Sequence, residues 1–115
     1  MSPNAYQEYK KQSVLTMTQG EAIVKLYDEC IRMLNAGVMY INEKNIEGTN
    51  KVLKKAHQIL NYMRSILNWD YEITANLDAL YDYYVRRIIT ANIKKDTAPL
   101  EEIIPMITDL RESFH

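Results

Sequence analysis

Two histidines have the broadest chemical repertoire in this 115-residue chain, and their surroundings favour neither metal binding nor phosphotransfer. A di-iron helical bundle needs a Glu-x-x-His motif on two helices, together with two further inward-facing glutamates. Glu112 and His115 give that spacing once, whereas His57 has Lys54 in the place of the glutamate. A phosphotransfer role for His57 would need glycine-rich surroundings that let a partner approach, and the residues around His57 contain no glycine-rich stretch. The sequence therefore predicts no metal, no cofactor and a structural role for His57.

The single cysteine, Cys30, falls inside a helical stripe of apolar residues, which is typical of an inert buried thiol. One cysteine cannot build a disulfide framework, so a reducing compartment is expected. The sequence contains no glycine-rich phosphate loop, nucleophile elbow or zinc-type Cys/His spacing. These residues indicate a protein that is not an enzyme.

The charges are nearly balanced, with 14 basic and 15 acidic residues and a net charge of −1. The basic pairs are scattered among acids, and a nucleic-acid site would need them on one positive face. No apolar stretch approaches the roughly 20 residues that span a bilayer, and the first residues show no secretory leader pattern. We therefore expect a cytoplasmic protein that neither binds nucleic acid nor inserts into a membrane.

Helices must position all of these side chains, because apolar residues recur with helical spacing and strand patterns are absent. The expected fold is all-α, an antiparallel up-down-up-down four-helix bundle formed by a single domain, residues 1–115. A short mobile N-terminal arm, residues 1–17, precedes the bundle, residues 18–115. The helices are predicted at about residues 18–43, 45–67, 74–95 and 97–114, with Pro105 expected to kink the last. Their predicted caps are Thr18 with Glu21, Asn45, Thr74 and Thr97.

Some apolar faces are wider than a four-helix core requires. Leu80, Tyr81, Tyr84 and Ile88 form an ordinary core face on the third helix. One interpretation is that the second and third helices are simply more buried than the others. The other is an exposed apolar groove, the kind of patch that marks partner sites. Nine tyrosines and six methionines are typical of surfaces that are alternately wet and covered. The residues that widen these faces are Val85, Ile89 and Tyr83 on the third helix and Leu53 and Leu60 on the second.

Several short motifs occur in an order that resembles the flagellar secretion chaperone FliS family. The most specific runs from Leu80-Tyr81-Asp82-Tyr83 through Arg86-Arg87 to Ala91-Asn92. Earlier in the chain come Asn4-Ala5-Tyr6 with Tyr9, and Leu26-Tyr27-Asp28. The resemblance covers the whole chain. It departs from the family at Gln19, where proline is usual, and at Glu29, where glycine is frequent.

The resemblance implies a cytosolic four-helix bundle that binds the disordered C-terminal segment of flagellin. Such proteins prevent premature polymerisation and help to deliver flagellin to the flagellar type III export apparatus. The family's N-terminal segment packs over part of the bundle and can be moved by the client, a role that falls here to residues 4–15. Together with the wide apolar faces, this predicts the partner-binding residues Tyr6, Tyr9, Leu53, Leu60, Tyr83, Val85, Arg86, Arg87 and Ile89.

An alternative function remains open on the residues alone. A helical-bundle adaptor that binds a helix of another cytosolic protein would present the same wide apolar faces. For either function we expect a monomer, or a weak homodimer that buries the surface covered by the client.

Overall fold

The computed structural model describes residues 19–114, which form four helices joined by short connections. No strand occurs within these residues, and the expected all-α four-helix fold is confirmed. The predicted arm, residues 1–17, and the predicted Thr18 cap lie outside the described residues. The helices are α1, Gln19–Asn42; α2, Ile46–Ser65; α3, Thr74–Lys94; and α4, Ala98–Ser113.

Each helix packs against its neighbours in sequence, and α4 returns to pack against α1, so the four axes occupy the corners of a square. Polar contacts at both ends fix the direction of α2 and α3. Asn50, near the start of α2, accepts a bond from Lys95 just beyond α3, and Arg64 near the end of α2 pairs with Asp78 near the start of α3. These two helices are therefore antiparallel, as the short connection between them requires.

The connection between α1 and α2 follows the sequence closely. Lys44 adopts a left-handed backbone with φ of 59°, which ends α1. Asn45 then caps α2, because its side-chain oxygen accepts a hydrogen bond from the Gly48 N–H at 2.8 Å. The prediction of Asn45 as a cap is confirmed.

Of the threonine caps predicted within the described residues, Thr74 is wrong, whereas Thr97 does occupy the N-cap position of α4. Thr74 is already the first residue of α3, and its hydroxyl donates to the carbonyl oxygen of Asn68 in the preceding connection. Thr97 makes no side-chain cap bond, and Asp96 accepts the Ala98 N–H at 3.0 Å instead. Asp96 thus satisfies a backbone N–H at the start of α4, whereas the Thr74 hydroxyl ties the start of α3 to the preceding connection. Helix α4 continues through Pro105, which lies at an exposed position and removes one backbone hydrogen bond from the helix.

The core draws large side chains from all four helices. One tight contact sets the spacing of α1 and α2: a Cβ on the buried Gly37 would lie 2.6 Å from Leu53 Cδ2. The absence of a side chain at Gly37 lets Leu53 press against α1. Of the predicted core residues, Tyr81, Tyr84 and Ile88 are buried, whereas Leu80 is partly exposed. Fully buried side chains include Tyr27, Leu34, Leu53, Leu60, Leu100, Ile103 and Ile107.

Two buried tyrosines join α1 to the diagonal helix α3 through a hydrogen bond between the Tyr27 and Tyr81 hydroxyls. Burial raises the pKa of both phenols, so both remain neutral near pH 7. The Tyr27 ring also packs on Phe114, with centroids 5.7 Å apart. Each hydroxyl thus satisfies the other in a site where an unpaired one would be costly.

The two hydroxyls should therefore be energetically coupled, because removing one leaves the other buried without its partner. Tyr81→Phe leaves the Tyr27 hydroxyl buried without its partner, and we expect the free energy of unfolding to fall by about 1–3 kcal/mol. The double variant Tyr27→Phe/Tyr81→Phe should lose much less free energy of unfolding than the two single variants lose in sum. Urea unfolding of all four proteins measures this coupling. Strict additivity would show that the two hydroxyls do not depend on each other.

Candidate partner-binding site

The residues expected to bind a partner separate into buried and exposed groups. Leu53 and Leu60 are fully buried, and Val85 is 8% exposed. The expectation that these residues line an open edge of the bundle is therefore wrong for Leu60 and Val85. Leu53 lines a surface groove, although its own side chain is buried. The apolar arcs of α2 and α3 are wide because each helix is buried against two neighbours on adjacent sides. Tyr6 and Tyr9 lie outside the described residues.

Ile89 occupies the kind of position that the sequence predicts for a contact residue. Its side chain is 44% exposed, and that of Ile93, one turn later, is 77% exposed. Both border a groove of about 300 Å³ between α2 and α3, with the buried Leu53 and Ile88 also in its walls. Leu53 and Ile89 therefore do face one surface feature, as expected. This α2–α3 groove is lined by Asn50, Leu53, Lys54, His57, Ile88, Ile89, Asn92 and Ile93.

Polar side chains close the groove where α3 ends. Lys95 has a left-handed backbone with φ of 51°. Its ammonium group donates to the side-chain oxygens of Asn50 and Asn92, each at 2.6 Å, and so ties α2 to the end of α3. His57 is half-buried in the groove wall, so it lies at the surface of the bundle and not in its core.

An ion-pair network joins the same two helices towards the start of α3. Arg64 of α2 pairs with Asp78 at 2.9 Å and with Asp82 at 3.3 Å. Arg86 pairs with the other oxygen of Asp82 at 2.8 Å, and its side chain stays 77% exposed. The hydrogen bond from Arg64 lowers the pKa of the Asp78 carboxyl, which keeps it ionised. Arg86, a predicted site residue, is thus held by Asp82 on the side of α3 that meets α2, but it does not line the α2–α3 groove.

Tyr83 and Arg87 lie on a different side of α3, where they meet α4. The Tyr83 hydroxyl donates to Glu102, and the Arg87 guanidinium donates to the other carboxylate oxygen of Glu102 at 2.7 Å. The bonds from Tyr83 and Arg87 lower the pKa of the Glu102 carboxyl, and the bond to Tyr83 contributes most. The same bond to Glu102 raises the pKa of the Tyr83 phenol. Arg86 and Arg87, neighbours in sequence, therefore face different helices and do not flank one edge together.

A second apolar feature lies at the end of the bundle where α1 begins and α4 ends, and the sequence reasoning missed it. This end cleft has a volume of about 170 Å³. Tyr71 and Ile73, in the connection before α3, are 66% and 60% exposed beside it. The connection before α3 has no helical periodicity, so the apolar faces of the helices did not indicate this cleft. The sequence signal for it is the presence of Trp69, Tyr71 and Ile73 in one loop. Its lining is Ile23, Met63, Ile66, Leu67, Asn68, Tyr71, Ile73, Thr74, Leu77, Tyr81 and Phe114.

Reactive chemistry has little support in residues 19–114. They contain no group of three or more His, Cys, Asp or Glu side chains that could hold a metal ion. Cys30 is buried as predicted, and burial raises the pKa of its thiol to about 12, which keeps it protonated. Over the same residues, none of the helices has the length and hydropathy of a membrane span. The arrangement is suited to binding.

Comparison with known proteins agrees over nearly the whole chain. The model of the family described as flagellar protein FliS matches residues 2–115. The chain is 36% identical over 111 residues to the flagellar secretion chaperone FliS of Bacillus subtilis, across 96% of this chain and 84% of that protein. It is 33% identical over 114 residues to FliS of Vibrio cholerae (94% and 84%) and 29% identical over 105 residues to FliS of Escherichia coli (89% and 77%). The chain therefore belongs to the FliS family of flagellar proteins.

Proposed function

We propose that this protein is a cytoplasmic export chaperone that binds the disordered C-terminal segment of flagellin. It prevents premature polymerisation and helps to deliver flagellin to the flagellar type III export apparatus, without catalysing a reaction. The observation that carries this proposal is the family match over residues 2–115, with relatives that are flagellar secretion chaperones. Four-helix packing with an apolar groove on one side supports a binding role.

The α2–α3 groove is the proposed client surface. An unfolded segment that becomes helical on binding can place its apolar side chains in a preformed groove. Ordering the segment costs about 2–5 kcal/mol or more, so the client needs a large contact area. Ile89 and Ile93 supply exposed apolar surface, and Leu53 and Ile88 supply a floor that is already packed. The groove can therefore accept a client side chain without rearrangement of the core.

We also propose that residues 4–15 act as an arm that covers part of the bundle in the free protein. The end cleft suits this role, because Ile23, in the second turn of α1, and Phe114 both line it. Helix α1 begins at Gln19, one turn before Ile23, so the described chain starts near this cleft. Tyr6 and Tyr9 are three residues apart, so one helical turn would present both rings together. In this proposal the client displaces or remodels the arm when it binds.

Deletion of residues 1–12 tests the arm separately from the client groove. Because a segment this short is marginal as a helix on its own, we expect the helix content and the cooperative melt to be preserved. We also expect stronger fluorescence of the dye ANS (8-anilino-1-naphthalenesulfonate), because the end cleft becomes uncovered. A cooperative loss of structure would place the arm in the core. Unchanged dye binding would show that the arm does not cover the cleft.

A polymerisation assay tests the proposed function. Equimolar protein is added to monomeric flagellin, and filament growth from seeds is followed by light scattering. We expect growth to be suppressed, because the C-terminal segment is withheld from the filament. A matched amount of unfolded protein serves as the control for non-specific effects. Growth at the uninhibited rate would contradict the proposal.

A further inference from the structure

Charge is distributed unevenly around the bundle. Helix α4 carries four acidic residues and one basic residue, whereas α2 carries four basic residues and one acidic residue. These helices occupy opposite corners of the bundle. The α2–α3 groove therefore opens beside the basic corner, away from the acidic one. The basic residues of α2 are Lys51, Lys54, Lys55 and Arg64, and the acidic residues of α4 are Glu101, Glu102, Asp109 and Glu112.

Within the groove itself, the uncompensated charge is positive. Lys54 is exposed and lies in the groove wall, and no carboxylate within residues 19–114 pairs with it. Asp78 and Asp82 lie on α3 before the groove begins at Ile88, and both are already matched by Arg64 and Arg86. Lys95 closes the other end through two asparagines and has no carboxylate partner among the described residues. Lys54 is thus an available cation next to the exposed Ile89 and Ile93 surface.

We propose that the α2–α3 groove selects an amphipathic helical segment that carries carboxylates beside its apolar stripe, and that Lys54 is the specificity-determining residue. This inference rests on the proposed function for the identity of the client, and it adds the client's charge pattern. The longer wall of the groove runs from Asn50 to His57 on α2, about 10 Å, since a helix rises about 1.5 Å per residue. The occupant is therefore a segment of about two turns that places one apolar residue against Ile89 and a carboxylate near Lys54.

The expected size of the effect follows from the exposure of Lys54. An ion pair on a protein surface contributes about 0.2–1 kcal/mol, and reversing one charge replaces attraction by repulsion of similar size. We therefore expect the variant Lys54→Glu to lower the affinity for an acidic segment about two- to thirtyfold. The contribution should weaken as salt is added, because exposed charges are screened.

Three designed peptides test this inference without flagellin. Each has about 18 residues with the same apolar stripe, and the flanking positions are all Glu, all Gln or all Lys. Binding to the full-length protein, to Lys54→Glu and to Lys55→Glu is measured by fluorescence anisotropy at low and high salt. Lys55→Glu is the matched control, because it makes the same charge change at an exposed position of α2 outside the groove.

The natural protein should bind the Glu peptide most tightly and the Lys peptide least. Lys54→Glu should reverse that order, and Lys55→Glu should keep it. Equal binding of the three peptides, the same order in Lys54→Glu, or no binding of any peptide would overturn the inference. Failure of flagellin to bind the natural protein would instead contradict the proposed function, whatever the order of the peptides. An unchanged melting temperature verifies that both variants are folded.

Discussion

Replacing Leu60 with alanine is expected to lower the free energy of unfolding by about 2–5 kcal/mol, because the truncation opens a cavity in a close-packed core. Leu60 lies on α2 with 0% of its surface exposed, within the cluster that joins all four helices. Thermal and urea unfolding measure the loss. At a temperature where Leu60→Ala is still folded, the variant should bind the client as tightly as the natural protein does, since Leu60 does not line the α2–α3 groove.

Tyr62 provides the matched control for this prediction. It lies two residues away on the same helix, but its side chain is 51% exposed. Tyr62→Ala should change the free energy of unfolding by only about 0.5 kcal/mol, as exposed substitutions usually do. Equal losses for Leu60→Ala and Tyr62→Ala would contradict the assignment of Leu60 to the core.

Ile89→Asp is expected to weaken flagellin binding at least 30-fold, or about 2 kcal/mol, while leaving the fold intact. The side chain is 44% exposed in the free protein, so the carboxylate stays hydrated until the client covers it. Binding would then bury a charge against an apolar surface without a partner, which is costly. Calorimetric titration with flagellin and a thermal melt should be made on the same protein sample.

Met39→Asp separates this local effect from a general loss of apolar surface. Met39 lies on α1 and is 50% exposed, but it does not line the groove. The control should therefore bind flagellin as the natural protein does. A folded Ile89→Asp variant with unchanged affinity would remove the α2–α3 groove from the client site.

The helices were predictable because their signals are local. Asn45 and the apolar stripes gave the second helix within a few residues of Ile46–Ser65, and four amphipathic stripes with short connections indicate an antiparallel bundle. Thr74 and Thr97 make no side-chain cap bond, because a cap bond depends on which nearby oxygen reaches the free N–H. At the start of α4 that oxygen belongs to Asp96, the residue before the predicted Thr97. This choice depends on backbone geometry that residue types do not specify.

The candidate site was less predictable, because exposure depends on how neighbouring helices pack. Ile89 was correctly placed at an exposed edge, whereas Val85, one turn earlier on the same side of α3, is buried. Leu53 is buried because Gly37 leaves room for it against α1, a contact between residues that are distant in sequence. Arg86 and Arg87 are adjacent in the chain, yet Arg86 pairs with Asp82 of its own helix and Arg87 pairs with Glu102 of α4. A helical wheel gives the angle of a side chain, but it does not give the position of the neighbouring helix.

Calorimetric titration of full-length flagellin, and of flagellin that lacks its C-terminal segment, tests the proposed chaperone function most directly. We predict that the full-length protein binds one flagellin per chain and that deletion of the segment abolishes binding. The isolated C-terminal segment should bind with most of the affinity of the whole protein, because it carries the apolar side chains that enter the groove. Binding that survives the deletion with unchanged affinity would contradict the account.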